Sequence, residues 1–244
     1  MNVIKANKLT AGYQGIPILK DLDFEIPEGR ITVILGKSGC GKSTLLKSLA
    51  GLLPPLSGEL FFAGEKIDFL SEKSLARLYS RIGVLYQNGA LLNSFNLFDN
   101  VALPLRMRYP GMQPSVVREM VLARLDLVGL GGSGNKYPSE LSGGMRKRGS
   151  LARAMILDPD VIFCDEPSSG LDPITLSDLD AFMVSLRDDF AMTLVVVTHE
   201  LRSIRRIADR VLVLHQDRIH FTGSLAELEQ NNDRFIRKFF LREG

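Results

Sequence analysis

A mainly parallel α/β fold is predicted by three features of the sequence. Apolar runs recur at 31–35, 82–86, 161–165, 193–198 and 210–214, short enough for strands and continuous enough to be buried on both faces of a sheet. Helical periodicity lies between them, at 42–52 and 173–188, and strands alternating with helices imply parallel pairing. From 88 to 155 the helical texture takes over, as in 115–128 and 145–157. It is broken by Pro104, by Pro110-Gly111 and by a glycine-rich stretch over 129–134. This region is expected to be a helical subdomain inserted into the core.

The start of the chain differs. Alternation over 3–13 and 22–26, followed by the turn Pro27-Glu28-Gly29, predicts strands. The run 31–35 then leads into a glycine-rich loop and a helix over 42–52, which Pro54-Pro55 ends. The expected organisation is one domain over 1–244. Its α/β core occupies 1–87 and 156–223, the helical insert 88–155, and a helical tail 224–244.

Composition narrows the class. Of 244 residues, 45% are hydrophobic and 24% charged, as in an ordinary globular chain able to bury a core. The net charge of +2 demands neither nucleic acid nor an anionic membrane as partner. No apolar run approaches the roughly 20 residues that span a bilayer, and MNVIKANKLT has no signal-peptide core. A cytoplasmic chain is expected, unless a partner holds it at a membrane. The two cysteines, Cys40 and Cys164, make no disulfide framework.

Gly36-Lys37-Ser38-Gly39-Cys40-Gly41-Lys42-Ser43-Thr44 fits G-x-x-x-x-G-K-[ST], the P-loop, and it follows a strand and opens a helix. The glycines let backbone N–H groups turn inward around phosphates, and the helix presents its positive end to them. Lys42 suits the β- and γ-phosphates, and the Ser43 hydroxyl suits magnesium. Further along, Val161-Ile162-Phe163-Cys164-Asp165-Glu166 is an apolar strand ending in two carboxylates. Asp165 can hold magnesium directly or through water, and Glu166 can polarise an attacking water. Taken alone, such a strand end is usually just solvated; the P-loop upstream favours chemistry.

Leu141-Ser142-Gly143-Gly144-Met145 resembles the LSGGQ signature of the ATP-binding-cassette (ABC) ATPases. Its serine and glycines at a helix start form a second anion site. Other family elements follow in order. Gln87 resembles the Q-loop glutamine, which contacts magnesium and water and senses a permease. Ser168-Ser169-Gly170-Leu171-Asp172 resembles the D-loop, His199 the switch histidine, and Tyr13 the aromatic that stacks on adenine. Singly each has a bland reading, as a solvated glutamine, a surface histidine or a strand aromatic; together they cover the chain from Val3 to about Gly223. The resemblance implies a P-loop NTPase core of ABC type, with an N-terminal antiparallel β-subdomain and an inserted α-helical subdomain. It implies ATP and Mg2+ as cofactors and a homodimer in the ATP-bound state. Each composite site takes 36–44, Gln87, Asp165, Glu166 and His199 from one chain and Ser142, Gly143 and Gly144 from the other. A transmembrane permease is then the partner, and the chain works at the cytoplasmic face of the inner membrane, held there by that permease.

Met145 stands where the family's general pattern has glutamine. With Arg146, with Gln87-Asn88-Gly89-Ala90-Leu91-Leu92 and with Leu171-Asp172-Pro173-Ile174-Thr175 it is similar to the ATPases of Mla/Mce-type phospholipid transporters. That implies an Mce-type lipid-binding protein and a small regulatory subunit as further partners, and no nucleic acid. The alternatives are an ATPase of another importer or exporter (amino acid or lipoprotein), a soluble ABC ATPase, or a binding-only sensor. One cassette without a long coiled coil disfavours the soluble ABC ATPase, and the presence of Glu166 and His199 disfavours the sensor. The chain stops at Gly244, so a long extension around a sister subunit is not expected.

Four further features are open. Leu91, Leu92, Phe95, Leu97 and Phe98 supply apolar material either for permease docking or for the subdomain core. Cys40, at a helix N-terminus, is either a reactive thiol or a small residue tolerated in the loop. Arg202, Arg205, Arg206 and Arg210 suggest a solvated helix face. The amphipathic segment 235–241 suggests a helix on its own core rather than on lipid.

Overall fold

The computed structural model describes residues 1–87 and 89–240. Strands β1 (Asn2–Tyr13) and β2 (Ile16–Pro27) form a hairpin around Gln14-Gly15, both at positive φ. β3 (Ile31–Gly36) leads through the glycine-rich loop into α1 (Lys42–Leu49), and β4 (Ser57–Phe62) and β5 (Glu65–Lys66) follow. Then come α2 (Glu72–Tyr79) and β6 (Ile82–Leu85). The helical stretch holds α3 (Leu97–Arg108), α4 (Pro114–Leu127) and α5 (Gly143–Met155). The chain continues through β7 (Val161–Asp165), α6 (Pro173–Phe190), β8 (Thr193–Val197), α7 (Leu201–Ile207), β9 (Arg210–His215), β10 (Arg218–Ser224), α8 (Leu225–Glu229) and α9 (Arg234–Phe240).

Two sheets result. One has the order β2-β1-β4-β5 and is antiparallel; the other has the order β10-β9-β3-β8-β7-β6. The second is parallel except where β10 returns against β9. It lies between two apolar cores, and strand pleating assigns each residue to a side. On β3, Ile31, Val33 and Leu35 face one core and Ile34 the other; on β8, Leu194 and Val196 oppose Val195 and Val197. β7 divides the same way, with Ile162 and Cys164 against Val161 and Phe163. The first core is closed by α3 to α6, the second by α1 and the antiparallel sheet.

Several expectations shift. The helix expected to end at 52 ends at Leu49, and the strand expected over 22–26 begins at Ile16. Pro104, expected to interrupt the helical pattern, sits inside α3. Proline there forgoes one backbone bond, to the Asn100 carbonyl, while burial of Val101, Ala102 and Leu105 holds the helix together. The buried Asn100 side chain then organises the preceding loop: its amide group bonds the Leu92 and Phe95 carbonyls, and its oxygen accepts from Leu92 N–H. β4, β5, α2 and β10 are additions to the sequence-based pattern.

Backbones approach closely where β6 crosses α5. A Cβ on Gly83 would stand 2.3 Å from the Ala154 carbonyl oxygen, an atom that cannot swing aside. Gly83→Ala should destabilise the fold by about 1–3 kcal/mol, read as a lowered urea midpoint at unchanged m-value.

Candidate functional site

Val197 pairs with both Ile34 and Asp165 in the parallel ladder, so the ends of β3, β7 and β8 open at one edge of the sheet. A cavity of about 610 Å³ lies there. Loop residues 36–39 and 41–44 line it, with Ile18, Gln87, Glu166 and His199. Two loop glycines are dictated by crowding. A Cβ on Gly36 would lie 2.5 Å from both the Cys40 sulfur and the Leu214 carbonyl. Gly41 caps α1 at φ 98° and leaves room for Leu19, which a Cβ would approach to 2.8 Å.

Lys42 folds back into the loop, and its Nζ donates to the carbonyls of Gly36 at 2.8 Å and Lys37 at 3.2 Å. This ammonium, the N-terminus of α1 and the inward-facing loop together make an anion site. Beside it the Ser43 hydroxyl donates to Asp165 Oδ1 at 3.2 Å. Burial pushes the Asp165 carboxyl up, and the Ser43 bond opposes that rise. The Gln87 amide nitrogen donates to Ser169 Oγ at 3.3 Å, which turns the amide oxygen free to act as a ligand. Hydroxyl, carboxylate and amide oxygens suit a hard cation such as Mg2+, which keeps several waters and needs no dedicated cage of carboxylates. Among the described residues no group of three or more His, Cys, Asp or Glu gathers to hold a metal.

Glu166 follows β7 at φ 47°, in the left-handed region that costs a non-glycine residue about 1–3 kcal/mol. Its backbone N–H donates to the Val197 carbonyl at 2.8 Å. Its Oε1 lies 3.0 Å from His199 Nδ1. Its Oε2 is buried and, among the described residues, has no hydrogen-bond partner. A carboxylate oriented by a histidine, with one oxygen unpartnered, on a residue that lines the same cavity as the anion site, has the form of a general base for a water.

Other expected site residues lie away from this cavity. Tyr13 is exposed and its ring carries Lys47 Nζ at 5.8 Å from the centroid; Ile18, unremarked in the sequence, contributes to the lining instead. Ser142, Gly143 and Gly144 begin α5, where Ser142 Oγ accepts from Met145 N–H at 3.3 Å. They do not line the cavity of their own chain. Cys40 packs half-buried beneath the loop, and burial raises its thiol, against the lowered value a reactive cysteine needs. Buried Cys164 is pushed up to about 12. Asn88 lies outside the described residues.

Two cations that the sequence analysis passed over enter from α5. Lys147, 5% exposed, donates to the Gln87 carbonyl and, at 3.4 Å, to the Glu166 carbonyl. Arg153 donates to the carbonyls of Ala90 at 2.8 Å and Gly89 at 3.1 Å. Burial is the main cause that lowers the pKa of each. One signal was present: Lys147 falls at helical spacing from Gly144, Leu151 and Met155, on the buried stripe of α5.

The sequence profile of the ABC transporter family matches residues 19–169. The chain is 41% identical, over 97% of its length, to the probable ribonucleotide transport ATP-binding protein mkl of Mycobacterium tuberculosis, of which it spans 66%. It is 38% identical, over 100% of its length, to the intermembrane phospholipid transport system ATP-binding protein MlaF of Haemophilus influenzae, of which it spans 92%. Among solved structures, the ATP-binding cassette MJ0796, dimeric in a post-hydrolysis state with ADP and Pi, superposes with a TM-score of 0.82 at 30% identity, over 91% of this chain and 98% of that one. CbiO1 of Clostridium perfringens, part of the ABC transporter complex cbiONQ, gives 0.86 at 28%, over 99% and 96%.

Removing the loop ammonium should weaken phosphate binding. For Lys42→Ala, affinity for a fluorescent triphosphate nucleotide is expected to fall about 10–100-fold, the worth of a charged hydrogen bond or two. Equilibrium titration against the wild type measures it.

Proposed function

Since the chain belongs to the ABC transporter family, we propose that it hydrolyses ATP between two copies of itself and so drives phospholipid transport through a separate membrane permease. The observation that carries the enzymatic part is the meeting, in one cavity, of the Lys42 loop and the Glu166–His199 pair, with Asp165 reached from the lining through its bond from Ser43. The site residues act as follows. Loop 36–44 and Lys42 bind the phosphates. Glu166 accepts the proton of the attacking water through its carboxylate, which His199 holds at Oε1. Ser43, Asp165 and Gln87 would hold Mg2+, which when bound offsets the charge of the phosphates. Ser142, Gly143 and Gly144, absent from their own chain's cavity, complete the site of the second copy, and Tyr13 meets the adenine.

The domain division follows the same reading: one nucleotide-binding domain, with 88–155 as the helical insert that carries the signature and faces the permease. Leu92 and Phe95 are exposed beside Gln87 and suit a docking helix; Leu97 is wholly buried, and Leu91 and Phe98 pack partly against the core. Among the described residues no helix is long and apolar enough to cross a membrane, which fits a subunit held at the cytoplasmic face by its partner. The mycobacterial and Haemophilus relatives carry names with different cargoes. We favour phospholipid, because the chain spans far more of the relative named for it. An Mce-type lipid-binding protein and a small regulatory subunit belong to the same reading.

The basic residues of α7 are largely engaged within the chain. Arg206 lies 3.4 Å from the buried Asp180, and Arg205 3.4 Å from Glu229. In the tail, Ile236 is buried and Phe235 packs on the His215 ring at 3.8 Å between centroids, so α9 lies on its own core; residue 241 is outside the described residues.

Glu166→Gln should keep ATP affinity and form a stable ATP-bound dimer, with kcat lower by about 10²–10⁴. Wild-type turnover in this variant would refute the base assignment. Pull-down of the tagged variant with ATP should recover a permease with bound phospholipid; a permease for another cargo would keep the ATPase and move the substrate. Phe95→Asp should abolish transport in the assembled complex while nucleotide titration stays unchanged; loss of folding instead would return Phe95 to the core.

A further inference from the structure

Four residues, from three segments distant in sequence, close into one hydrogen-bonded ring around the base. Lys147 Nζ donates to the Gln87 carbonyl and to the Glu166 carbonyl. The Gln87 side chain donates to Ser169 Oγ at 3.3 Å, and Ser169 N–H donates to the Glu166 carbonyl at 3.2 Å. Each member belongs to a different part of the site: Gln87 to the loop after β6, Glu166 to the end of β7, Ser169 to the turn before α6, and Lys147 to the second turn of α5.

From this ring we infer that Lys147 is a positioning residue for hydrolysis: it holds the strained Glu166 backbone in register with the Gln87 loop and the helix that begins at Ser142. The inference deepens the proposed function and rests on Glu166 acting as the base.

Three physical points support it. First, a left-handed non-glycine residue persists only when its surroundings over-determine it. Glu166 is held at its N–H by Val197 on β8 and at its carbonyl by Ser169 and Lys147. Without Lys147 the carbonyl keeps one bond, from a turn that itself leans on Gln87. Second, an ammonium is rarely buried for stability alone, since desolvating it costs several kcal/mol. Lys147 at 5% exposure points its charge at two backbone carbonyls rather than at a carboxylate. Its four-carbon stem is what lets one group reach both loops from the helix. Third, the ring ties the Gln87 loop, which lies next to the exposed Leu92 and Phe95, to the residue that would activate water. Displacement of that loop therefore reaches Glu166 by two short routes, through Lys147 and through Ser169, rather than through the core.

The test uses the full chain with ATP and Mg2+. Lys147→Met keeps the length of the side chain and removes its donors. The variant is expected to bind ATP within about threefold of wild type, because the phosphate loop is untouched, while kcat falls about 10–100-fold, as misplacement of a reacting group by about 1 Å does. A purely structural lysine would lower the melting temperature and leave kcat per folded molecule within about twofold; that result overturns the inference. Lys147→Gln, with a neutral amide NH2 left on a shorter stem, should have a kcat between the two and serves in place of the methionine variant if that one does not fold. Wild-type kcat in the folded glutamine variant also overturns it. Glu166→Gln is measured alongside: if it hydrolyses ATP normally, the base assignment fails, whereas an inactive Glu166→Gln beside a fully active Lys147→Met removes only the role of Lys147.

Discussion

The parallel ladder of β3, β8 and β7 is what every part of the site hangs from. Val197 is the shared register point: it pairs with Ile34 on one side and Asp165 on the other, and its carbonyl accepts the Glu166 N–H. Three loops must therefore leave the sheet at the same level. The one after β3 is the glycine-rich loop, the one after β7 carries Glu166, and the one after β8 carries His199. Parallel strands buried on both faces have little freedom to slip, because a shift of one residue would exchange the sides on which Phe163 and Cys164, or Val195 and Val196, are packed.

Rigidity in the sheet allows strain in the loops. Glu166 is kept in a costly conformation, and one of its carboxylate oxygens is buried without a partner. Both features cost stability, and neither is explained by packing. Both are what the proposed role of Glu166, as a proton acceptor beside a loop suited to anions, would require. His199 orients the other oxygen and is itself largely open to solvent, with 70% of its side chain exposed.

Helix α5 joins the two ends of the machinery. Its N-terminus, with Ser142 as cap, is directed away from the chain's own cavity. Gly144 is fixed there by packing as well, since a Cβ would come within 2.4 Å of Thr175 at the start of α6. Its middle sends Lys147 and Arg153 onto the carbonyls of Gln87, Gly89 and Ala90. In the proposed dimer, a helix that begins at Ser142 and grips the loop after β6 along its flank moves both together or neither.

The sequence by itself determined the strands with continuous apolar runs, the helices of strong period, the phosphate loop and the paired Asp165-Glu166. All of these are local: spacing along the chain dictates pleat, helical face and backbone turns within a few residues. It also held the family resemblance, through short motifs in a fixed order. Tertiary structure decided what local pattern cannot express. Pro104 remains helical because α3 is packed around it. Phe95 is exposed while Leu97, two residues on, is wholly buried, since that depends on which neighbours cover the turn. Tyr13 stands outside the cavity and Ile18 lines it, because the hairpin sets which of them faces in. Lys147 reads as one more basic residue in Arg146-Lys147-Arg148 until the fold buries it. Its role comes from carbonyls 60 and 19 residues away, and contacts at such separations arise only when the whole sheet has closed.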